Sequence, residues 1–506
     1  MSTPCPPRRA LLPAAALGTT LTLTLSGCFS SPAADPQAVG TDGARISLAM
    51  LQPPRSGLDP LTDDAFKLAR WSTAETLVVL DPEGQAQPAL ATGWTQVDDR
   101  TWRFTIRAGV QFHDGTELTA EQAAASLTAA TLASPKPRIL DGVEMTARAE
   151  GDTVTVTTED VDPLVPQRLS SPQLAVLAAS AYSADGRVSP LGTGTGPFEL
   201  VEINGTSSAT LDRFDGYWGQ RAAASGIDAA YVPDGTARGA SLRTGTADIA
   251  EAVPVSQAGL LDPETVHEVP MPRTNTLYLN TATGPFADPA VRGAAAAAVD
   301  RATIVANVYE GRADIAEGLL GPALPWAAEG RGDVAPPPAG TVPAGTTITL
   351  GTFTDRAELP EVAVLIEQQL EAVGFTVEQD VREYSFIEAD ALAGAFDAFI
   401  LSRATVLDSG DPVAYLYSDF ACEGSFNIAQ LCDPAVDALL DRASTLPAGA
   451  DRQAAVLAAE AAILATGAAV PMLHERVIQG EATDVRDAAR DPRERILVTT
   501  ETRIED

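Results

Sequence analysis

The stretch that decides the fold runs from residue 75 to residue 127, ETLVVLDPEGQAQPALATGWTQVDDRTWRFTIRAGVQFHDGTELTAEQAAASL. Within it, Trp102, Phe104 and Ile106 alternate with polar residues, which is the period of a half-buried strand. The letters TAEQ at 119–122 follow, where a threonine three residues before a glutamine opens an alanine-rich run. This capping-box pattern predicts the start of a helix. The stretch therefore predicts strand structure followed by a helix.

The same succession continues along the chain. Val154 and Val156 lie in another alternating strand, and residues 347–353 are typical of a strand. Capping residues and stop signals predict four further helices, which begin at Asp288-Pro289, at Pro360 (stopped by Gly374), at Asp433-Pro434 and at Asp451 (stopped by Gly467). Residues 331–345, rich in proline and glycine, predict a surface loop or linker. Repetition of strand and helix indicates an α/β fold.

Length and charge narrow the class of protein. A chain of 506 residues exceeds what one hydrophobic core usually supports, so two or three lobes are expected. The formal net charge is -34, from 34 basic and 68 acidic residues. Nucleic-acid binding is not expected, because it needs a basic surface. The acidity indicates a solvated surface, or alternatively a preference for cationic ligands.

The N-terminus predicts export. Arg8 and Arg9 precede an apolar stretch over residues 10–25, which is too short and interrupted to span a bilayer and is typical of a secretory signal. It ends in the letters LSGC at 25–28, which look like a bacterial lipobox with Cys28 as the lipidated residue. Residues 1–27 are therefore the predicted lipoprotein signal peptide, and residues 28–44 a flexible tether. An ordinary signal peptide and a twin-arginine signal are the alternatives.

The four cysteines divide by position. Cys5 leaves with the predicted signal, and Cys28 is the predicted lipid site. Cys422 and Cys432 are close in sequence, and an oxidising compartment favours a disulfide between them. A zinc site is the weaker alternative, because no histidine lies nearby in sequence.

The sequence does not indicate a phosphate-binding loop, a multi-histidine metal site or a catalytic site. Gly192, Gly194 and Gly196 would need a following helix to cradle a phosphate, whereas Pro197 and an extended segment follow, so a turn that leads into a strand is predicted. Asp114-Gly115 is typical of a hairpin turn. The chain has three histidines, which makes a multi-histidine metal site hard to build. We therefore predict that the protein is not an enzyme and has no cofactor and no bound metal.

Several short sequence segments outside residues 75–127 occur in the same order as in a known protein family. These blocks are 192–200 (GTGTGPFEL), 217–219 (YWG), 242–249 (LRTGTADI), 277–300 (LYLNTATGPFADPAVRGAAAAAVD) and 408–412 (DSGDP), followed by Cys422 and Cys432. Together with 75–127 they resemble the peptide/nickel-type solute-binding proteins, family 5 of the ABC importers. The resemblance runs from about residue 46 to residue 480. One departure is Gln122, which stands where the family has an aspartate.

The resemblance implies a periplasmic-binding-protein-like fold of class II, with two lobes around a ligand cleft plus an extra subdomain. Lobe one would combine residues 45–75, 190–270 and 476–506. The inserted subdomain would be 76–189, and lobe two 271–475. The lobes would close about a hinge on a bound ligand.

The resemblance also implies site residues. In peptide-binding relatives with a similar D-x-G-D-P segment, the first aspartate accepts the α-amino group of the ligand, which implies this role for Asp408, with Asp411 capping or bracing the turn. A solvated or turn-capping Asp408 is the alternative. The letters LSRA at 401–404 replace an aromatic residue of those relatives. Arg403 is therefore a candidate to bind a ligand carboxylate, or else a structural arginine.

The function implied is that of an extracytoplasmic lipoprotein, anchored at the outer face of the cell membrane or periplasmic. It would capture a peptide-like or amino-acid-derived ligand and deliver it to ABC permease subunits, as a monomer. A non-transporting sensor or surface protein on the same scaffold is the alternative. Nickel-chelate binding is a minor one, because residues 400–432 contain no histidine.

Overall fold

The computed structural model describes residues 43–505 except 141, 185, 357, 407 and 408. The predicted signal, Cys28 and most of the tether lie outside the described residues, as does Asp408. The strands are β1 (Arg45–Met50), β2 (Val78–Leu80), β3 (Ala86–Pro88), β4 (Ala91–Gln96), β5 (Thr101–Ile106), β6 (Met145–Glu150), β7 (Thr153–Thr158), β8 (Phe198–Asn204), β9 (Ser208–Arg213), β10 (Gly226–Tyr231), β11 (Ile249–Ala250), β12 (Val266–Leu279), β13 (Ala313–Ile315), β14 (Thr347–Phe353), β15 (Thr376–Arg382), β16 (Ala398–Ala404), β17 (Ala469–Glu481), β18 (Val485–Arg486) and β19 (Arg503–Ile504).

The α-helices are interleaved with these strands. They are α1 (Ala65–Arg70), α2 (Ala120–Leu132), α3 (Val165–Arg168), α4 (Gly235–Arg243), α5 (Val255–Ala258), α6 (Pro289–Ala298), α7 (Arg301–Asn307), α8 (Pro325–Gly330), α9 (Glu358–Ala372), α10 (Tyr384–Leu392), α11 (Val413–Phe420), α12 (Pro434–Thr445) and α13 (Ala450–Thr466). Short 3-10 turns lie at Arg138–Leu140, Pro172–Leu174, Ala179–Ala181, Pro263–Thr265 and Pro285–Ala287. The mixture of helices and strands confirms the α/β prediction.

The local signals read from the sequence are confirmed. In β5 the side chains alternate between buried and exposed, as the apolar alternation predicted. The Thr119 side chain accepts a hydrogen bond from the Gln122 N–H at the start of α2, and Asp288 caps α6 in the same way through the Ala290 N–H. Helix α13 ends at Gly467 in the left-handed conformation. Each of these residues acts through its own backbone neighbours, which is why sequence alone identifies it.

One eleven-stranded sheet organises most of the chain. Its order is β15-β14-β16-β12-β17-β11-β1-β10-β9-β8, with β13 paired to β17. A separate antiparallel sheet, β4-β5-β7-β6, is packed by α2. Strands β12 and β17 are the longest, at 14 and 13 residues, and their pairing is irregular between Pro270 and Thr274. These two strands link the β1 side of the large sheet to the β14 side.

In the part of the chain that the structure describes, most buried apolar side chains group into three large cores, which we number by chain order, and a small cluster of Leu177, Ala181 and Val188 lies apart from them. The first core draws on residues 46–71, 198–261 and 478–498. The second core draws on residues 77–178 and the third on residues 277–473. The lobe boundaries given above stay a prediction.

The two remaining cysteines lie beside the third core. Cys422 follows α11, Cys432 precedes α12, and the structure joins them in a disulfide across ten residues of chain. The bond ties the loop between these helices, and the Cys422 N–H donates to the Asp437 carboxylate on α12 at 3.0 Å.

Candidate functional site

A group of charged side chains lies at one edge of the large sheet. Strands β14 and β16 are parallel neighbours, so their carboxyl ends meet at this edge. Arg356 lies just beyond the end of β14, Arg403 lies at the end of β16, and Arg273 of β12 pairs with Ala404. In open α/β sheets, ligands bind in the crevice outside the carboxyl ends of the strands. This edge is therefore the candidate site.

A single carboxylate organises the edge. Glu475 of β17 is 7% exposed and accepts hydrogen bonds from Arg356 Nη1 at 2.8 Å, Ser402 Oγ at 2.6 Å and Asn275 Nδ2 at 2.9 Å. Arg273 Nε lies 3.9 Å from the same carboxylate. Two guanidinium groups thus share one carboxylate, with two neutral side chains completing its hydrogen bonds.

At this edge the charge of Glu475 is well compensated by two arginines, whereas the charge of Arg273 is less well compensated. Burial alone would raise the pKa of Glu475, but the charges of Arg356 and Arg273 lower it below its ordinary value. Burial lowers the pKa of Arg273 to about 10, and repulsion from Arg356 adds to the effect. The Nε of Arg273 is buried without a hydrogen-bond partner in the described part of the chain. An additional anion here would therefore relieve both repulsion and an unmet donor.

Arg403, the sequence candidate for a ligand carboxylate, is held by a carboxylate of the protein. Its Nε and Nη2 lie 2.9 and 2.8 Å from the oxygens of Asp419, which is fully buried. Its guanidinium also lies 4.1 Å from the centre of the Phe426 ring. This bidentate, stacked arrangement fixes the guanidinium plane, and 28% of the side chain stays exposed. Contact between Arg403 and a ligand stays a prediction.

The segment that follows β16, residues 405–412, is named the binding turn here. Asp408 falls in it but outside the described residues. Its flanks are fixed: the Thr405 N–H donates to the Pro272 carbonyl at 2.7 Å, and the Gly410 N–H to the Val406 carbonyl at 3.1 Å. The Asp411 carboxylate accepts the N–H of Val413, the first residue of α11, at 2.9 Å.

Asp411 also braces the binding turn against a distant helix. Arg452 of α13 donates to both Asp411 oxygens, with distances of 2.6 and 2.9 Å. The capping and bracing role that the sequence predicted for Asp411 is therefore what the structure has.

Sequence reasoning missed Arg273, Arg356 and Glu475. Arg356 and Glu475 are 119 residues apart, and strand order alone brings them together. The usable signal was the position of Arg356, three residues beyond a strand that the sequence did predict. Arg273 and Glu475 carried no such signal, because each lies inside a long strand.

The first core contributes charges that face this edge. Glu494, near the C-terminus, interacts electrostatically with both Arg273 and Arg356. Its oxygen Oε1 lies 3.5 Å from Arg70 Nη2, and Arg70 also forms an ion pair with Glu251. The edge of the third core therefore meets an ionic network of the first core.

Two histidines, His113 and His474, are buried. His474 is 3% exposed and its Nδ1 lies 2.9 Å from the Thr274 hydroxyl. Burial, followed by the charge of Arg331, lowers the pKa of His474 to about 4. Burial likewise lowers the pKa of His113 to about 4. In the unfolded chain both titrate near 6.5.

These pKa values predict acid destabilisation. Between about pH 6.5 and pH 4 the unfolded state binds a proton at each histidine that the folded state refuses, so stability falls as pH falls through this window. Each histidine contributes about 3 kcal/mol to the loss. We expect His474→Gln to lose about 3 kcal/mol less than wild type between pH 7 and pH 4, as measured by urea unfolding at several pH values. Equal losses in the two proteins would contradict the assignment.

Two absences hold for the described residues. Across residues 43–505, apart from the five omitted above, no group of three or more histidine, cysteine, aspartate or glutamate side chains is placed to hold a metal ion. None of the helices in this part of the chain combines the length and apolar character of a membrane span.

Most of the chain matches one known protein family. The family model for bacterial extracellular solute-binding proteins, family 5 Middle, matches residues 85–427. The glutathione-binding protein GsiB of Salmonella choleraesuis (strain SC-B67) is 29% identical over 283 residues, 53% of this chain and 55% of GsiB. GsiB of Escherichia coli (strain K12) is 28% identical over 283 residues, which are again 53% of this chain and 55% of GsiB. The chain thus spans about half the length of the curated relatives it matches.

Solved structures resemble the chain over nearly all of its length. The nickel ABC transporter protein from Bacillus halodurans matches with a TM-score of 0.77 at 23% identity, covering 91% of this chain and 100% of that one. DppA from Helicobacter pylori, in complex with the peptide STSA, matches with a TM-score of 0.73 at 20% identity, covering 92% and 99%. At these identities the likeness shows the fold. The predicted periplasmic-binding-protein-like α/β fold is confirmed.

Proposed function

Because the chain belongs to the bacterial extracellular solute-binding proteins of family 5, we propose that it captures a peptide-like or amino-acid-derived ligand for an ABC importer. Family 5 proteins are extracytoplasmic binding proteins that deliver solutes to permease subunits. Binding and release need no covalent step. The resemblance to proteins named for glutathione, a peptide and nickel sets the range of ligands worth testing.

The observation that carries the ligand class is the sharing of Glu475 by Arg273 and Arg356. A ligand carboxylate placed beside these guanidiniums would receive charge-assisted hydrogen bonds from groups already fixed by the sheet. Arg356 keeps 34% of its side chain exposed, so it can reach a ligand, whereas Arg273 at 17% contributes mainly charge. The proposed ligand therefore carries a carboxylate.

The second proposed anchor is Asp408 for a ligand amine. Its flanks in the binding turn follow Arg403 in sequence, and the turn leaves the same sheet edge as the arginines. A ligand with a carboxylate at Arg356 and an ammonium at Asp408 is a zwitterion, as free peptides and amino acids are. Arg403, fixed by Asp419, would shape the pocket between these two anchors.

Cleft closure is proposed to occur about β12 and β17. These strands connect the first and third cores, and their pairing is irregular between Pro270 and Thr274. A few residues at such an irregularity can absorb the backbone change of a hinge. In the closed arrangement Glu494 faces the arginine edge, and closure removes the ligand from water, which strengthens every charge interaction there.

A thermal-shift panel tests the proposal. The compounds are dialanine, trialanine, glutathione, free L-alanine, and nickel with excess L-histidine. A compound that binds only the folded protein raises the melting temperature, and a concentration of 100 times Kd stabilises by about 2.7 kcal/mol. We expect a peptide or glutathione to raise Tm. A rise in Tm with nickel-histidine alone, or no rise with any of the compounds, would contradict the proposed ligand class.

Membrane anchoring through Cys28 is proposed on the sequence of residues 25–28. We expect mass spectrometry of membrane-extracted protein from a native host to find a diacylglyceryl group on an N-terminal Cys28. Cys28→Ala should move the protein from the membrane fraction to the soluble fraction, while Cys5→Ala, the matched control, should leave it in place. Retention of Cys28→Ala on the membrane would contradict the anchor.

A further inference from the structure

The carboxylate of Glu475 contacts two groups of the opposite charge. Its oxygen Oε2 lies 2.8 Å from Arg356 Nη1 and 3.9 Å from Arg273 Nε. We name these three side chains the Glu475 cluster. Two guanidiniums share one carboxylate in it, so one positive charge is left over within the cluster. One anionic group of a ligand would complete the balance.

Glu475 is fixed in position and stays charged. It is 7% exposed and accepts hydrogen bonds from Ser402 Oγ at 2.6 Å and Asn275 Nδ2 at 2.9 Å. Burial raises the pKa of Glu475, but the charges of Arg356 and Arg273 lower it by more, so the pKa lies below its ordinary value. The negative charge of Glu475 is therefore a permanent part of the cluster near pH 7.

The described side chains around the cluster add negative rather than positive charge. Arg403 carries the third guanidinium of this sheet edge, but its Nε and Nη2 lie 2.9 and 2.8 Å from the oxygens of the fully buried Asp419. Glu494 interacts electrostatically with both arginines of the cluster, and Glu358, at the start of α9, interacts with Arg356. A second ligand charge placed here would therefore meet carboxylates and an arginine that is already paired.

One and two negative ligand charges therefore differ in energy at this edge. A single carboxylate beside Arg356, whose side chain is 34% exposed, balances the leftover charge and supplies an acceptor near the unmet donor Arg273 Nε. A second negative charge gains no counter-charge and is repelled by Glu475. Like charges about 6 Å apart, at an effective dielectric constant of about 20, change affinity by about 100-fold.

We infer that Glu475 is a specificity-determining residue, whose fixed charge limits the arginine edge to a ligand group with a single negative charge. The solutes accepted are then peptides and amino-acid derivatives whose C-terminal residue carries only its α-carboxylate. Ligands with an acidic C-terminal residue, and phosphate dianions, are disfavoured. This inference rests on the proposed function and deepens it, because it separates the carboxylate-bearing ligands that the site accepts from those that it rejects.

Calorimetry with two dipeptides of nearly equal shape tests this role of Glu475. Alanyl-asparagine has one carboxylate on its C-terminal residue and alanyl-aspartate has two, and both are titrated into wild type and Glu475→Gln near pH 7 at constant ionic strength. We expect wild type to bind alanyl-asparagine about 10- to 100-fold more tightly than alanyl-aspartate. Glu475→Gln should reduce this preference by at least about tenfold, or reverse it. The same preference in both proteins would overturn the inference.

Ser402→Ala is the matched control. It removes the 2.6 Å hydrogen bond to Glu475 but leaves the charge of Glu475 in place. A substitution that only disturbs the positions of the two arginines weakens both dipeptides alike, so the ratio of their affinities stays that of wild type. We therefore expect Ser402→Ala to keep the preference. A loss of preference as large as that in Glu475→Gln would assign the effect to geometry and contradict the role of the charge.

Arg273→Gln changes the charge of the cluster in the opposite direction. It should strengthen the preference for alanyl-asparagine, which stays measurable if Glu475→Gln does not fold, and an unchanged or weaker preference would contradict the inference. Inorganic phosphate at constant ionic strength gives a readout without peptides, because it should raise the Tm of Glu475→Gln more than that of wild type. Equal rises would overturn the role of Glu475. Failure of wild type to bind either dipeptide, with the phosphate difference present, would count against the proposed function alone.

Discussion

Asp408→Asn is expected to weaken binding of a cationic-amine ligand by about 30-fold to several thousandfold. A closed cleft strips water from an ammonium group, and a buried ammonium without a counter-charge is very costly. Asparagine keeps the shape of aspartate but removes the charge that compensates the ammonium. Isothermal calorimetry with the best peptide of the panel measures the change, with folding checked by a thermal melt. Affinity within about threefold of wild type would exclude the anchor role.

Asp411→Asn is the matched control for this prediction. Asp411 lies three residues away in the same binding turn, but its carboxylate is committed to Arg452 and to the Val413 N–H. Breaking a buried bidentate ion pair mainly lowers the stability of the fold. We therefore expect Asp411→Asn to lower Tm clearly and Asp408→Asn to leave it nearly unchanged. The two substitutions therefore differ in the property that they change, which is ligand affinity for Asp408→Asn and thermal stability for Asp411→Asn.

Gly196→Ala is expected to lower the free energy of unfolding by about 3 kcal/mol or more. A Cβ at this position would lie 1.9 Å from the Ser72 carbonyl oxygen and 2.8 Å from its carbon, so backbone itself would have to move. The same turn is tied to His113, whose N–H donates to the Gly194 carbonyl at 2.8 Å and whose Nε2 lies 2.9 Å from the Gly196 carbonyl. Because the turn joins the first core to the second, a shift of its backbone would disturb the packing of both cores.

Urea unfolding of the purified protein measures this loss. Gly93→Ala in β4 is the control, because a Cβ there would meet nothing within 4 Å. We expect Gly93→Ala to change stability by less than about 1 kcal/mol. A Gly196→Ala protein as stable as the Gly93→Ala protein would show that the backbone at residues 72 and 73 can give way.

Which features of the structure can be predicted from the sequence depends on how far apart in the chain the interacting residues are. The cap at Thr119 and the stop at Gly467 depend on a few neighbouring residues, so the pattern predicts them. The turn at 192–196 was predicted as a turn, but its contact with Ser72 was not, since that contact joins segments more than a hundred residues apart.

The candidate site was only partly predictable for the same reason. Arg403 was identified because the letters LSRA at 401–404 replace an aromatic residue of the relatives, but its partner Asp419 comes from the following helix α11 and was not foreseen. Arg273, Arg356 and Glu475 meet because β14, β16, β12 and β17 are neighbours in the sheet. The order of strands is a global property, and no local pattern in the chain encodes it.

The most direct test of the proposed ligand class is a calorimetric comparison of one peptide with its C-terminal amide. The peptide is the member of the panel that gives the largest rise in Tm, and both forms are titrated into wild-type and Arg356→Gln proteins. We expect amidation to weaken binding to wild type by at least about 30-fold, because a charged partner is lost from a desolvated pair. On Arg356→Gln the two forms should differ by much less. Equal affinity of wild type for the acid and the amide would contradict a carboxylate site at Arg273 and Arg356.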